Sequence, residues 1–393
     1  MIKELKTLLD ITTRSLAGEK AIQLPPLVDE KTFYTLTKEN GLQALIHQAL
    51  DKTTLAKPLQ DALKKDTLAF ITADTKQGHL TKELRGIFND KQIPFIFLKG
   101  VHLKTLYPES HLRGMGDIDV LIHEKHIAPV RETLQKRGYE LRHKSPQHDV
   151  YETTGLAIEI HPTLYKDFDD KFASLFQSPW DHAHQENENE HRFTPEFGLC
   201  YLAYHLAKHF DSSGVGLRSI LDIGIFAQSY EDAIDRETLS ELLAQGNLKA
   251  FMQTLLYLNK QYFGLTPLPG LIEDYTMDPD LFERLTTYIT TAGIHGKGAT
   301  HNPFIARTRN KQDKKNSRLK VLLRTVFLPK KTMQVMHPAL EKHGYLLPFF
   351  WFKRAFSLTF KKRKRSFYKL KQLKAANQEK SRKTEALFDQ IGL

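Results

Sequence analysis

The segment FLKGVHLKTLYPESHLRGMGDIDVLI, residues 97–122, holds the pattern from which the fold is predicted. Its last part, GMGDIDVLI, predicts the start of a buried strand that carries two carboxylates, Asp117 and Asp119. Because successive side chains of a strand alternate between its faces, these two carboxylates point the same way. Two like charges about 4 Å apart repel each other by roughly 4 kcal/mol at an effective dielectric constant near 20. Such a pair indicates either a bound cation or a solvated strand end.

The residues around this segment predict a small mixed α/β unit between about 91 and 166. IPFIFL, which precedes Lys99 and Gly100, is a short run of residues that favour strands. Apolar spacing predicts a short helix after Gly100 and a longer helix that ends near Gly138. Two further strands, DVYETTG and LAIEIHP, are joined at a turn that contains Gly155. Strands and helices in this order are typical of a mixed sheet flanked by helices.

The rest of the chain is predicted to be mainly helical, which gives an α+β fold class. Apolar residues recur at helical spacing in IKELKTLLDI and LQALIHQAL, and again in FGLCYLAYHLAKHF and RSILDIGIFAQSY. The polar stretch HQENENEHR between these regions predicts a loop. We divide the chain into an N-terminal helical region, a core with a small mixed sheet, a helical domain and a basic C-terminal helical extension: 1–90, 91–190, 191–304 and 305–393.

Charge and composition exclude several classes of protein. The net charge of +11 favours anionic partners, which are nucleotides, nucleic acid or an anionic membrane surface. A single cysteine, Cys200, excludes an internal disulfide framework and fits a reducing compartment. The N-terminal segment does not have the pattern of a secretory signal, and the run YLLPFFWF is too short to span a bilayer. We expect a cytoplasmic protein, with a peripheral position on the inner membrane face as an alternative.

A third carboxylate completes a candidate metal site. In LAIEIHPTL, strand alternation directs Ile158 and Ile160 to the core and Glu159 and His161 to the other face. If this strand lies beside DIDVLIH, Glu159 joins the aspartate pair. Three carboxylates suit Mg²⁺, with Mn²⁺ as an alternative, and two such ions can activate an attacking hydroxyl and stabilise a leaving phosphate. The alternative for Glu159 is a surface position on a hairpin.

The residues before the aspartates predict a turn that binds phosphate. A strand that leads through Lys99 and Gly100 into a helix presents backbone N–H groups to an anion, and Gly100 allows a close approach. Lys99 supplies a point charge for a phosphate oxygen. Arg113 is a second cation, expected near the reacting centre unless it is simply solvated. His161 is expected either to contact a phosphate or the attacking hydroxyl, or to be a hydrogen-bonded structural residue.

In two pairs of residues in the helical half, the two members are four residues apart. His205 and His209 have a spacing that can chelate a metal ion, but no third ligand supports a zinc site. We therefore expect packing or substrate contact from them. Arg218 and Asp222 form an ordinary helix pair, expected to brace the helical domain against the sheet.

The order of these motifs along the chain is specific. It comprises Leu98-Lys99-Gly100, Leu106-Tyr107-Pro108, Arg113, Gly116-Asp117-Ile118-Asp119, Ile158-Glu159-Ile160-His161, His205, His209, Arg218, Asp222, VFLPKKTMQVMHPAL and YLLPFFWFKRAF. This order resembles the uncharacterised nucleotidyltransferase family of the DNA polymerase β-like superfamily. The resemblance implies a nucleotidyltransferase fold in which Asp117, Asp119 and Glu159 hold catalytic Mg²⁺. The superfamily usually has Gly-Gly or Gly-Ser in the loop where this chain has Lys99-Gly100, as this family prefers.

The resemblance also implies an activity. We expect transfer of a nucleoside monophosphate from a nucleoside triphosphate to an unidentified acceptor hydroxyl or phosphate, with release of pyrophosphate. Members of the family resemble accessory enzymes of polysaccharide or modified-peptide gene clusters, so the acceptor is expected to be linked to a polysaccharide, a peptide or a small molecule. Two alternatives stay open: a binding module that keeps the fold without chemistry, and an enzyme that adds nucleotides to an RNA end.

The C-terminal region carries a basic, aromatic segment. FKRAFSLTFKKRKRSFYKLKQLK mixes cationic and aromatic residues and contains no acid. This composition fits a contact of residues 353–372 with an anionic membrane surface or with RNA. The alternative is a solvated helical extension with a few apolar anchors.

Overall fold

In the part of the chain that the structure describes, a mixed sheet of seven strands carries the predicted site. The computed structural model describes residues 2–145, 147–165, 172–212, 214–292, 343–356 and 378–393, with isolated positions between 327 and 340. The strands are β1 (Phe95–Phe97), β2 (Asp117–Ile122), β3 (Glu140–Lys144), β4 (Asp149–Thr153), β5 (Leu156–His161), β6 (Ala183–Asn187) and β7 (Glu190–Phe193). Their order across the sheet is β3-β4-β5-β2-β1-β7-β6. The pairs β2–β5 and β1–β7 are parallel, and the other pairs are antiparallel.

Helices precede, interrupt and follow the sheet. Before β1 they are α1 (Lys3–Leu16), α2 (Glu30–Glu39), α3 (Gln43–Ala49) and α4 (Lys57–Asp90). Between strands lie α5 (Gly100–Leu103) and α6 (Ile127–Lys136). After the sheet the described helices are α7 (Pro195–Ser212), α8 (Leu217–Ser229), α9 (Arg236–Gln245), α10 (Lys249–Phe263), α11 (Pro279–Ala292), α12 (Leu347–Phe356) and α13 (Gln378–Gln390). The predicted α+β fold class is confirmed.

Strand β2 is fixed in the sheet by one apolar face. Ile118, Val120 and Ile122 alternate along it and are buried. They share an apolar cluster with residues of β1 and β5 and with side chains of α4 and α6. Because alternate residues of a strand point to opposite faces, this packing directs Asp117 and Asp119 away from α4 and α6. The hydrophobic alternation therefore decides on which side the carboxylates stand.

A second apolar core joins helices from the two ends of the chain. It includes Leu8 of α1, Phe210 of α7, Leu255 of α10 and Phe388 of α13. The N-terminal helices thus contribute to the same core as the helices that follow the sheet. The division of the chain at residues 90, 190 and 304 stays a prediction.

The polar stretch HQENENEHR is not a loop, and that prediction was wrong. It forms most of the hairpin of β6 and β7, and β7 extends the sheet by parallel pairing with β1. Arg85 of α4 holds this edge with two hydrogen bonds to Glu190, at 2.5 and 3.0 Å. An edge hairpin that is solvated on most of its surface has no apolar alternation, which is why its sequence resembles a loop. Strand β3, which follows Gly138, was not predicted either.

None of the helices that the structure describes is both long enough and apolar enough to cross a membrane. Of the basic segment 353–372, residues 353–356 belong to α12, and 357–372 lie outside the described residues.

Helices α8 and α10 approach each other closely at Gly224. A Cβ atom at Gly224 would lie 2.1 Å from Oδ1 of Asn259 on α10. Asn259 is buried, and its Nδ2 donates to the carbonyl oxygen of Ile220 at 2.8 Å. Glycine is therefore needed at this position because Asn259 has to keep its bond to α8.

This close approach predicts the effect of adding one methyl group. Gly224→Ala displaces Asn259, and we expect the free energy of unfolding in urea to fall by about 1–3 kcal/mol. Gly78→Ala, on the exposed side of α4 where a Cβ would meet nothing within 4 Å, is the matched control. It should be neutral or stabilise by up to about 1 kcal/mol. Equal effects of the two substitutions would contradict the packing described for Gly224.

Candidate active site

Three carboxylates come together on one face of the sheet. The parallel pairing of β2 with β5 sets Asp119 opposite Glu159. Asp117 stands two residues before Asp119 and so lies on the same face. Carboxylate oxygens of the three residues lie within 4.8 Å of one another. Glu159 was expected to join the aspartates if its strand lay beside theirs. The pairing of β5 with β2 meets this condition.

Lys99 compensates part of this negative charge. Its Nζ atom lies 3.0 Å from Oδ2 of Asp119, which is almost fully buried. Burial alone would raise the pKa of Asp119, but the charge of Lys99 and the hydrogen bond from His161 hold that pKa well below its ordinary value. Burial, followed by the charge of Asp119, raises the pKa of Asp117. Negative charge near Asp117 is therefore only partly compensated, which favours binding of a cation there.

His161 lies between two of the carboxylates. Its Nε2 atom is 2.9 Å from Oδ1 of Asp119 and 3.4 Å from Oε2 of Glu159. Burial would lower the pKa of His161, but these two contacts raise it overall. The contact of His161 with Glu159 also lowers the pKa of Glu159. His161 is therefore hydrogen-bonded within the site, which agrees with the structural role considered for it. A contact of His161 with substrate stays a prediction.

The predicted turn at Lys99 and Gly100 links β1 to α5. Lys99 has φ 44° and ψ −103°, a backbone conformation that favours glycine and costs other residues about 1–3 kcal/mol. Its carbonyl oxygen accepts the N–H groups of His102 and Leu103 at 3.1 and 2.8 Å. A Cβ at Gly100 would lie 2.4 Å from Sδ of Met115. The packing of Met115 therefore gives one reason for glycine at this position, and the close approach of a phosphate stays a prediction.

Arg113 connects the sheet to α8. Its Nε and Nη2 atoms donate to Oδ1 and Oδ2 of Asp222 at 3.0 and 2.9 Å, and both residues are buried. The hydroxyl of Tyr107 donates to the same carboxylate at 2.8 Å. Arg113 is therefore not a solvated cation in a turn. Its third nitrogen, Nη1, lies beside Gly100, 3.2 Å from where a Cβ would stand. A contact of Arg113 with the triphosphate stays a prediction.

Arg218 and Asp222 brace the helical half against the sheet, as expected, but each has a partner outside α8. Asp222 pairs with Arg113, and Nη1 of Arg218 donates to the carbonyl oxygen of Gly114 at 2.8 Å. A bidentate pair of guanidinium and carboxylate is stronger than an ordinary pair along a helix. The loop before β2 is therefore held from α8 at two points.

The contact of His205 with Lys99 was not predicted from the sequence. Nε2 of His205 lies 3.4 Å from Nζ of Lys99 and 2.9 Å from Nε2 of His209. Burial lowers the pKa of His205 well below its ordinary value and that of His209 to about 4. A neutral His205 can accept a hydrogen bond from the ammonium group, which has only donors. The spacing of the two histidines indicated a pair on one helix face but not its contact with Lys99.

The donor set of the cluster fits a hard divalent cation. Asp117, Asp119 and Glu159 offer carboxylate oxygens, the ligands that Mg²⁺ and Mn²⁺ prefer. Oxygens of Asp119 already contact Lys99 and His161. Because each carboxylate oxygen has two lone pairs, these contacts do not prevent Asp119 from binding an ion.

A sheet that presents carboxylates from two neighbouring strands beside a glycine-containing turn has the architecture of a nucleotidyltransferase. The chain belongs to the family described as uncharacterised nucleotidyltransferases, whose model matches residues 26–264. Membership supports a role in nucleotidyl transfer. No curated protein matches the chain. Among solved structures, the antibiotic-resistance factor ANT(2'')-Ia is similar with 13% identity and a TM-score of 0.34, covering 49% of this chain and 99% of its own.

The buried contact between Arg113 and Asp222 predicts a large loss of stability when one side is removed. Asp222→Ala leaves the guanidinium group without its carboxylate, and we expect the free energy of unfolding to fall by about 3–5 kcal/mol in urea denaturation. Tyr107→Phe removes one hydrogen bond and should cost about 1 kcal/mol. The control is Glu152→Ala, which breaks a solvent-exposed pair with Arg142 and should stay within about 0.5 kcal/mol of wild type. A loss no larger than that of the control would show that the pair does not brace the two halves.

Proposed function

We propose that the protein transfers a nucleoside monophosphate from a nucleoside triphosphate to an acceptor hydroxyl or phosphate. The bond from the acceptor oxygen to the α-phosphorus forms, and the bond from that phosphorus to the bridging oxygen breaks, so that pyrophosphate leaves. The observation that carries the proposal is the convergence of Asp117, Asp119 and Glu159, with oxygens within 4.8 Å of one another. Family membership supports the class of reaction. The acceptor we expect is linked to a polysaccharide, a peptide or a small molecule.

In this proposal the three carboxylates have different roles in metal binding. Asp117 and Asp119 would bind two divalent ions, Mg²⁺ or Mn²⁺, and Glu159 would bind the one on the acceptor side. When bound, such ions stabilise the charge on the reacting phosphate and favour deprotonation of the acceptor. The contact with His161 lowers the pKa of Glu159, which favours the ionised form that would bind the ion. The proton of the acceptor would pass to Glu159 or to solvent as the new bond forms.

Lys99, Gly100 and Arg113 are the proposed triphosphate contacts. The ammonium group of Lys99 has three donors, and it contacts Asp119 at 3.0 Å and His205 at 3.4 Å. A phosphate oxygen can serve as the third acceptor. Arg113 contributes through Nη1 and through a positive charge that the contact with Asp222 fixes in place. Gly100 contributes backbone at the start of α5, where a phosphate can approach the chain.

We further propose a cytoplasmic protein whose segment 353–372 contacts an anionic membrane surface or RNA. Phe349 and Phe352 of α12, directly before this segment, are 61% and 74% exposed. Exposed aromatic rings beside cationic side chains are typical of surfaces that bind lipid or nucleic acid. If the protein only binds and performs no chemistry, this segment carries the function. If it extends RNA ends, RNA binding is strong and falls steeply with salt.

Substitution of Glu159 is expected to abolish nucleotidyl transfer without loss of triphosphate binding. Full-length protein is incubated with α-labelled nucleoside triphosphates, Mg²⁺ and cell extract, and transfer of label to a product is measured. Glu159→Gln should lower transfer by more than about 100-fold, because the acceptor-side ligand is lost, while binding of a non-hydrolysable triphosphate changes by less than about 3-fold.

The matched control changes a carboxylate on the neighbouring strand. Glu152→Gln on β4 lies in an exposed pair with Arg142, outside the cluster, and should transfer label at the wild-type rate. Equal loss of transfer and of triphosphate binding in Glu159→Gln would contradict the role given to Glu159. No transfer by wild-type protein with any nucleotide would favour the binding module.

A further inference from the structure

A second group of candidate metal ligands lies beside the carboxylate cluster. His148, Glu159 and His161 each present one ligand atom, and these atoms lie within 4.8 Å of one another. In the antiparallel pair of β4 with β5, Val150 stands opposite Glu159, and His148 directly precedes β4. The rings of His148 and His161 have centroids 5.2 Å apart.

The chemistry of this group differs from that of the three carboxylates. It offers two imidazole nitrogens and one carboxylate oxygen, a donor set that suits borderline transition metals, whereas Mg²⁺ prefers oxygen ligands alone. We propose that His148, Glu159 and His161 bind a transition-metal ion of the Zn²⁺ type, at a site that shares Glu159 with the carboxylate cluster.

The distances require a small adjustment. Three ligand atoms around one Zn²⁺ ion, each about 2.1 Å from it in a tetrahedral arrangement, stand about 3.4 Å apart. Because the ligand atoms lie within 4.8 Å of one another, no pair has to approach by more than on the order of 1 Å. The backbone of His148 is held by Ser145, because the carbonyl oxygen of His148 accepts the backbone N–H and the hydroxyl of Ser145 at 3.1 and 3.0 Å.

A separate observation supports His161 as a ligand. Histidines that bind metal ions almost always donate their other ring N–H group to a carboxylate or a carbonyl oxygen, which fixes the tautomer and the ring. His161 makes such a contact, since Nε2 lies 2.9 Å from Oδ1 of Asp119. In this proposal Nε2 donates to Asp119, which leaves the lone pair of Nδ1 for the ion. The contact with Asp119 would then be the carboxylate–histidine part of a carboxylate–histidine–metal arrangement.

The shared residue links the two sites. Glu159 has two carboxylate oxygens, so it can bind an ion on each side. Metal binding by the two histidines does not depend on nucleotidyl transfer. Control of that transfer by a transition metal, through Glu159, rests on the function proposed above.

The test uses Co²⁺ as a spectroscopic probe for the site. Full-length protein without an affinity tag is treated with chelator and returned to buffer with millimolar Mg²⁺, and Co²⁺ is then titrated in while visible absorption is recorded. We expect one Co²⁺ per chain with a d–d band typical of nitrogen ligation, and loss of the band when Zn²⁺ is added. Absence of such a band in the wild-type protein would overturn the proposal.

Three variants locate the ion. His148→Gln should weaken Co²⁺ binding by at least about 10-fold. His143 is the control, because its ring centroid is 6.1 Å from that of His148 but it is not one of the three proposed ligands. His143→Gln should bind Co²⁺ like wild type. Asp117→Asn should keep the band while losing transfer. A band that survives His148→Gln and disappears in Asp117→Asn would place the ion at the carboxylates and refute the second site. Thermal unfolding checks that each variant is folded.

Discussion

The in-register parallel pairing of β2 with β5 is the constraint on which the candidate site depends. It sets Asp119 opposite Glu159, and it does so because the intervening residues of both strands are apolar and buried. A shift of one residue would turn Glu159 to the face that packs on α4 and α6 and would expose Ile158 and Ile160. Each of those side chains contributes about 1.5–3 kcal/mol by burial, so the core itself enforces the arrangement of the carboxylates.

The surrounding structure offsets the repulsion that this register creates. Lys99 supplies the opposing charge, from a backbone conformation that normally belongs to glycine. His205, from a helix after the sheet, contacts the same ammonium group. The contact of Arg113 with Asp222 fixes the loop that leads into β2. Residues far apart in the chain therefore hold one lysine beside the carboxylates, where we propose that it also contacts the triphosphate.

Sequence patterns correctly predicted the features that depend on local hydrophobic periodicity. Alternation of apolar residues in DIDVLIH and LAIEIHP was sufficient to give the strands and the faces of Asp117 and Glu159. It was not sufficient for the hairpin of β6 and β7, whose polar residues carry no alternation signal. Contacts across long separations were also inaccessible: helical spacing suggested Arg218 as the partner of Asp222, whereas the bidentate partner is Arg113. The conformation of Lys99 gave no signal in the sequence, because strain there comes from the tertiary structure.

The most direct test of the three-carboxylate site is the position of Mn²⁺ in a crystal soaked with Mn²⁺ and a non-hydrolysable nucleoside triphosphate. Anomalous scattering identifies the ion independently of the refined coordinates. We expect a peak at bonding distance from Asp117, Asp119 and Glu159, with a phosphate oxygen in contact with Lys99. Ordered nucleotide with no anomalous peak among these three carboxylates, or a peak found solely beside His148, would contradict it.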